Sequence, residues 1–253
     1  MKNIYYILGI LILVAFGYLG YQKYSKSVVY DAGAHLNETP ASTTPGVAAE
    51  SVASYSTTTK YYDFSYQVPG ENQIASKIIK DNADKWLAET NIVSVTNDKQ
   101  AENDFGIFSD MKYEYDSKYE KKENAEYVTY LETIFAFTGG AHPSTAIVSH
   151  TFDKKDQSKQ VGMGDIYNDK VYGALSDYTR KTMPALFNKK GIIVSEIKDM
   201  FDDGTSINKN NWQTFYFKND VLVVVFNQYQ IGPYAIGIHE INIPLSLLAQ
   251  YKK

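Results

Sequence analysis

Three features of the sequence predict an α+β fold: antiparallel sheets with packed helices, behind an N-terminal transmembrane helix and a flexible stalk. Period-two runs of aromatic and β-branched residues recur along the chain, as half-buried strands require. Two longer stretches, Glu71 to Thr90 and Tyr172 to Phe187, place apolar residues at helical spacing. Ahead of them stand an uncharged apolar run and a Thr/Ser/Ala/Pro-rich stretch with no core pattern.

No charged residue lies between Lys2 and Lys23, and Ile4 to Tyr21 is almost wholly apolar. At helical rise that run spans roughly 27 Å, close to the hydrocarbon thickness of a bilayer. Tyr5 and Tyr6 at one end, and Tyr18, Tyr21 and Tyr24 at the other, form an aromatic belt. Residues 1–24 are therefore expected to anchor the chain in the membrane, with the bulk exported. The alternative is a cleaved signal peptide. Its small-x-small sites, Ala15-Phe16-Gly17 and Ala32-Gly33-Ala34, lie inside the apolar run and well beyond it. Residues 25–60 read as a flexible linker, with too few large apolar side chains to offset the entropy of ordering. Residues 61–155 are expected to form an N-terminal α+β module and residues 156–253 a C-terminal part, the boundary between them being approximate.

Tyr62, Phe64, Tyr66 and Val68 alternate along a strand ended by Pro69-Gly70. In the helix that follows, Asn72 is placed as N-cap and Trp86 as a core anchor. Met111 to Tyr119 alternates again, and Lys121 to Asn124 reads as the turn into a strand from Tyr127 to Phe137. Thr145 to Phe152 completes an antiparallel meander. Further on, Pro184 is a candidate early end for the second helix. Ile192 to Phe201 reads as a short helix, and Trp212 to Phe217 pairs with Val221 to Phe226 as a hairpin. The latter run is continuously apolar, as a strand buried on both faces would be. His239 to Ile243 is a last strand, and Pro244 to Leu248 a terminal turn.

Composition narrows the function classes. A net charge of −4 in 253 residues lacks the basic footprint of a nucleic-acid binder. The absence of cysteine excludes disulfides, thiolate metal sites and thiol catalysis. Tyrosine is abundant at 22 residues; its apolar face and polar tip suit sheets, sugar stacking and contact surfaces alike. Two stretches stand out. The first, Gly139, Gly140, Ala141, His142 and Pro143, turns one strand into the next, with glycines free to take positive φ and a proline that fixes it. The second holds Tyr229, Gly232, Pro233, Tyr234 and Gly237. These ten residues are the candidate binding positions. His142 is read as tying the corner together through its ring nitrogens, and the Gly232-Pro233-Tyr234 turn is expected to pack near it.

In order along the chain, Thr138 to Pro143, Ser149 to Asp153, Gly164-Asp165-Ile166-Tyr167 and Tyr229 to Gly237 resemble the RsiV-like extracytoplasmic domain, a domain of formerly unknown function. The smaller Tyr-rich module before it is similar to the one preceding the catalytic domain in the peptidoglycan deacetylase PdaC. The resemblance covers about Tyr61 to Lys253. It implies an exported domain that engages envelope components; in the anti-sigma factor of this kind, that domain binds lysozyme. These residues show neither a sigma-binding sequence nor a deacetylase domain, so neither signalling nor deacetylation is expected.

Catalytic patterns are weak. His142, His150 and His239, with Asp153 or Glu240, have no compact metal-ligand spacing. Ser149 and His150 are neighbours on a strand and point to opposite faces. Ser144 lacks a nucleophile elbow, and Asp153, Asp165 and Glu240 are candidate acids only by closeness to the motifs. No cofactor or metal is expected. The sequence thus favours an envelope binding module for cell-wall glycan or a wall-active protein such as lysozyme. The alternative is an exported metal-dependent hydrolase of cell-wall material using His142.

Overall fold

A computed structural model of the chain describes residues 37–39, 52–90, 112–139 and 141–253. All of them belong to one compact unit, Asn37–Lys253. The expected membrane anchor, most of the expected linker, and Gly140 lie outside the described residues. Within them no helix is long and apolar enough to cross a membrane.

Six strands form the larger sheet, in sequence order: β1 (Asn37–Thr39), β2 (Val52–Thr58), β3 (Tyr62–Pro69), β4 (Tyr113–Glu123), β5 (Tyr127–Phe137) and β6 (Ser144–Asp153). β2 corrects the linker expected to run through residue 60. Its Ser and Thr content suits a stalk, but Ala53, Tyr55 and Thr57 share the less exposed face of a strand, and Tyr55 stacks on Tyr66 at 4.8 Å. β3 buries Tyr62, Phe64, Tyr66 and Val68 and leaves Asp63, Ser65 and Gln67 half-exposed. Helix α1 (Gln73–Glu89) covers the buried face. Asn72 caps it as expected, its Oδ1 accepting from the amides of Ile74 and Ala75 at 3.0 and 2.9 Å. Such a cap stabilises by about 1 kcal/mol. Trp86 is the core anchor, packed against Phe64 and Tyr115.

β3 and β4 pair in parallel, the other strand pairs of both sheets being antiparallel. A helix-containing crossover is what makes a parallel pair reachable. β4 runs on to Glu123 through the charged residues expected to form the turn. The turn comes later because the Asn124 side chain accepts from the amides of Glu126 and Tyr127, starting β5 at once.

In the second half, α2 (Val171–Asn188) continues through Pro184 rather than stopping there. Met183 and Phe187 are fully buried on either side of the proline, and their burial offsets the roughly 3 kcal/mol of a mid-helix proline. The expected helix over Ile192 to Phe201 is a 3-10 turn followed by α3 (Lys198–Gly204). Trp212 ends a second such turn, its indole N–H donating to Ser206 O at 2.9 Å, so β7 starts only at Phe215. The smaller sheet orders β7 (Phe215–Lys218), β8 (Val221–Phe226) and β9 (His239–Pro244). β8 is the doubly buried central strand expected. Leu222, Val224 and Phe226 join α2 and Trp212 in one core, while Val223 and Val225 pack with Leu131 and Ile147 of the larger sheet. That second contact sets the two sheets together and positions the site.

Candidate functional site

β6 is an edge strand, and an edge leaves peptide groups unpaired. Here side chains from the C-terminal half take the place of a partner strand. Asn227, directly after β8, accepts from the Ile147 amide at 2.6 Å and donates to the Ile147 carbonyl at 2.9 Å. Gln228 accepts from the Thr145 amide at 3.0 Å. Lower down, the Ser149 hydroxyl donates to Gln213 O and receives the Phe215 amide, both at 3.1 Å. These bonds bring the segment after β8 alongside the β5–β6 corner.

The segment itself is tightly held. Gln230 accepts from the Asn227 amide at 3.0 Å and donates to Asn211 O at 2.9 Å, and the Ile231 side chain is buried. Gly204, at the end of α3, lets this backbone pass: a Cβ there would lie 1.9 Å from Gln230 O. Between these fixings Tyr229 takes φ +64, a left-handed conformation that tyrosine rarely adopts. Gly237 closes the segment at φ +76.

At the corner, Gly139 takes φ +80. His142 is exposed, not buried, and its two nitrogens face different elements. Nδ1 lies 3.0 Å from Pro143 O, within the corner. Nε2 lies 3.2 Å from the Tyr229 hydroxyl. A carbonyl only accepts, so Nδ1 carries a proton, and a neutral ring then offers Nε2 to the Tyr229 O–H. The imidazole also stacks on Tyr234, with centroids 3.8 Å apart and planes 22° apart. Tyr229 and Tyr234 are 5.8 Å apart at 40°. The structure thus joins His142, Tyr229 and Tyr234, from two motifs far apart in sequence, into one surface cluster of rings. Gly139, Ala141, Pro143, Gly232, Pro233 and Gly237 shape the two loops that carry them.

The remaining candidates lie elsewhere. His150 is buried in the larger sheet, its Nε2 2.8 Å from Glu132 Oε2, while the Ser117 hydroxyl donates to Oε1 at 2.5 Å. His239 packs on Phe187 at 4.6 Å in the other core. The three histidines therefore have separate surroundings. No group of three His, Asp or Glu side chains among the described residues is placed to hold a metal. Asp165 caps its own turn by accepting from the Gly162 amide at 2.8 Å, Asp153 accepts from the Lys155 amide, and Glu240 accepts from the Tyr216 hydroxyl. Burial first, then the charge of Glu240, pushes that phenol up to about 12.

Sequence reasoning gave Asn227 and Gln228, which open the second unusual stretch, no role, although paired amides directly after an apolar strand are a signal for capping an edge. It also passed over Glu132, the lone carboxylate in the run Tyr127 to Phe137.

Residues 164–246 match a family model described as a protein of unknown function, DUF3298. The match includes the segment Asn227 to Gly237 and stops short of the corner. No curated protein matches the chain. Among solved structures, a DUF3298-family protein from Bacteroides fragilis is 17% identical with a TM-score of 0.55, covering 81% of this chain and 94% of its own. One from Pseudomonas aeruginosa is 14% identical with a TM-score of 0.51, covering 81% and 93%. At these identities the likeness is one of fold.

Proposed function

We propose that this chain is a membrane-anchored extracytoplasmic binding module of the bacterial cell envelope. Its binding surface is the cluster of His142, Tyr229 and Tyr234, and its targets are peptidoglycan or a wall-active protein such as lysozyme. The observation that carries the reading is the strained, exposed Tyr229, fixed on both sides and tied to His142 across two motifs. Strain of that kind persists only where the surroundings enforce it, and it gathers at functional positions. The apolar run Ile4 to Tyr21, the polar stretch after it and the RsiV-like resemblance supply the location and the class of target. The alternative, a metal-dependent hydrolase built on His142, draws no support from the arrangement. His142 is engaged by Tyr229, Tyr234 and Pro143, and His150 and His239 are engaged elsewhere.

The test is retention of the full chain, in detergent micelles, by purified peptidoglycan and by immobilised lysozyme. Binding to at least one is expected. A chain that passes freely over both is not a binding module of this kind.

A further inference from the structure

We infer that the ring cluster recognises a neutral carbohydrate, taking the C–H face of a pyranose ring onto Tyr229 and Tyr234. This rests on the binding role proposed above and names its ligand class. Four observations carry it.

The cluster is filled. His142 lies 3.8 Å from the Tyr234 ring and bonds the Tyr229 hydroxyl, so no space remains between the rings for a caged ammonium group or a protein side-chain anchor. A ligand lies on the rings instead of between them, as a flat sugar ring does.

The cluster is small. Tyr229 is 38% exposed. With about 150–250 Å² for a whole aromatic side chain, Tyr229 offers on the order of 75 Å², and Tyr234 is less exposed still. A stable protein interface needs about 800 Å² per partner, whereas one or two sugar rings match the cluster.

The cluster is uncharged. Neither Phe137 to Ser144 nor Asn227 to Gly237 contains Asp, Glu, Lys or Arg. Within these two loops a phosphate-bearing polymer or a cationic protein surface meets no complementary charge.

Finally, polar edges remain for hydroxyl groups. The Tyr234 hydroxyl makes no hydrogen bond among the described residues, and the Tyr229 hydroxyl and His142 Nε2 sit beside it in solvent. An exposed bond to His142 does little to offset the left-handed backbone of Tyr229, so the ring is held outward for contact.

The experiment is calorimetric titration of the full chain in micelles with the soluble tetramer of N-acetylglucosamine, and in parallel with poly(glycerol phosphate) and lysozyme. The tetramer is expected to bind, with affinity insensitive to salt. Tyr229→Gly and Tyr234→Ala are each expected to weaken it at least tenfold. Tyr229→Gly removes both ring and strain, so its melting temperature should stay within about 3 °C of the parent. A purely structural tyrosine would instead lose stability. No heat with the tetramer, or equal binding by the parent and both variants, overturns the inference. If lysozyme binds and the tetramer does not, the carbohydrate inference falls while the binding-module reading stands. If peptidoglycan and lysozyme both fail, that earlier reading falls.

Discussion

His142 and His150 sit on the same hairpin and live in opposite environments. His150 points to the face covered by α1, 2% exposed, and shares the fully buried Glu132 carboxylate with Ser117. His142 stands at the tip in solvent, held by stacking and two surface hydrogen bonds. The buried pair welds β4, β5 and β6 and has no free surface with which to meet a ligand. The exposed ring contributes little to stability, and that leaves it free to serve recognition. The same residue type thus separates into scaffold and candidate site by depth alone.

The sharpest way to break this contrast is at the scaffold. His150→Leu leaves the Glu132 carboxylate buried with only Ser117, and should cost about 3–5 kcal/mol in chemical denaturation. Adding Glu132→Leu removes the stranded carboxyl group, and the double variant should regain most of the loss. Equal stability of single and double variants would show that losing His150 strands no costly polar group at Glu132.

Next comes the seating of the Tyr229 loop. A methyl group at Gly204 meets the Gln230 carbonyl head-on, so Gly204→Ala should destabilise by about 1–3 kcal/mol. It should also lower retention on peptidoglycan, because the segment that carries Tyr229 must move. Asn227→Ala takes the partner from the Ile147 amide and leaves its carbonyl with only the Thr214 hydroxyl at 3.4 Å, and should cost about 1–3 kcal/mol. Its specific signature is faster hydrogen exchange at the Ile147 amide. An unchanged exchange rate would mean that the edge of β6 is protected by something else.

Much of the fold was legible because strands and helices announce themselves locally. The alternation of Tyr62 to Val68 and the apolar run Val221 to Phe226 settled into the places expected. β2 was hidden because serine and threonine fit both a stalk and a strand, and only the pairing with β3 decides between them. The parallel pairing of β3 with β4 is equally non-local. For the site, glycine and proline marked both loops, but nothing in either loop's sequence tells that they meet. Their meeting depends on amide side chains of Asn227 and Gln228 finding the free edge of a strand some eighty residues earlier. The exposure of His142 was not legible either, since a histidine between glycines and a proline reads the same in a buried corner as in an open one.

His239 lies between the two extremes and gives the gentlest test. It is buried beside Phe187 at the start of β9, just after the Tyr229–Gly237 segment, and its Nε2 has no hydrogen-bond partner among the described residues. Burial, and then the charge of Lys190, pushes its pKa below the usual 6.5, against a smaller opposing effect from a backbone hydrogen bond with Ile236. The folded protein therefore takes up this proton less readily than the unfolded chain. Stability from this group is complete above about pH 6.5 and is lost as pH falls from there through the folded-state value. His239→Gln should flatten the decline of melting temperature between pH 7 and pH 5 and leave the value above pH 7 nearly parallel to the parent. If both proteins decline with the same slope below pH 6.5, then His239 is not the group responsible, and the acid sensitivity belongs to the carboxylates.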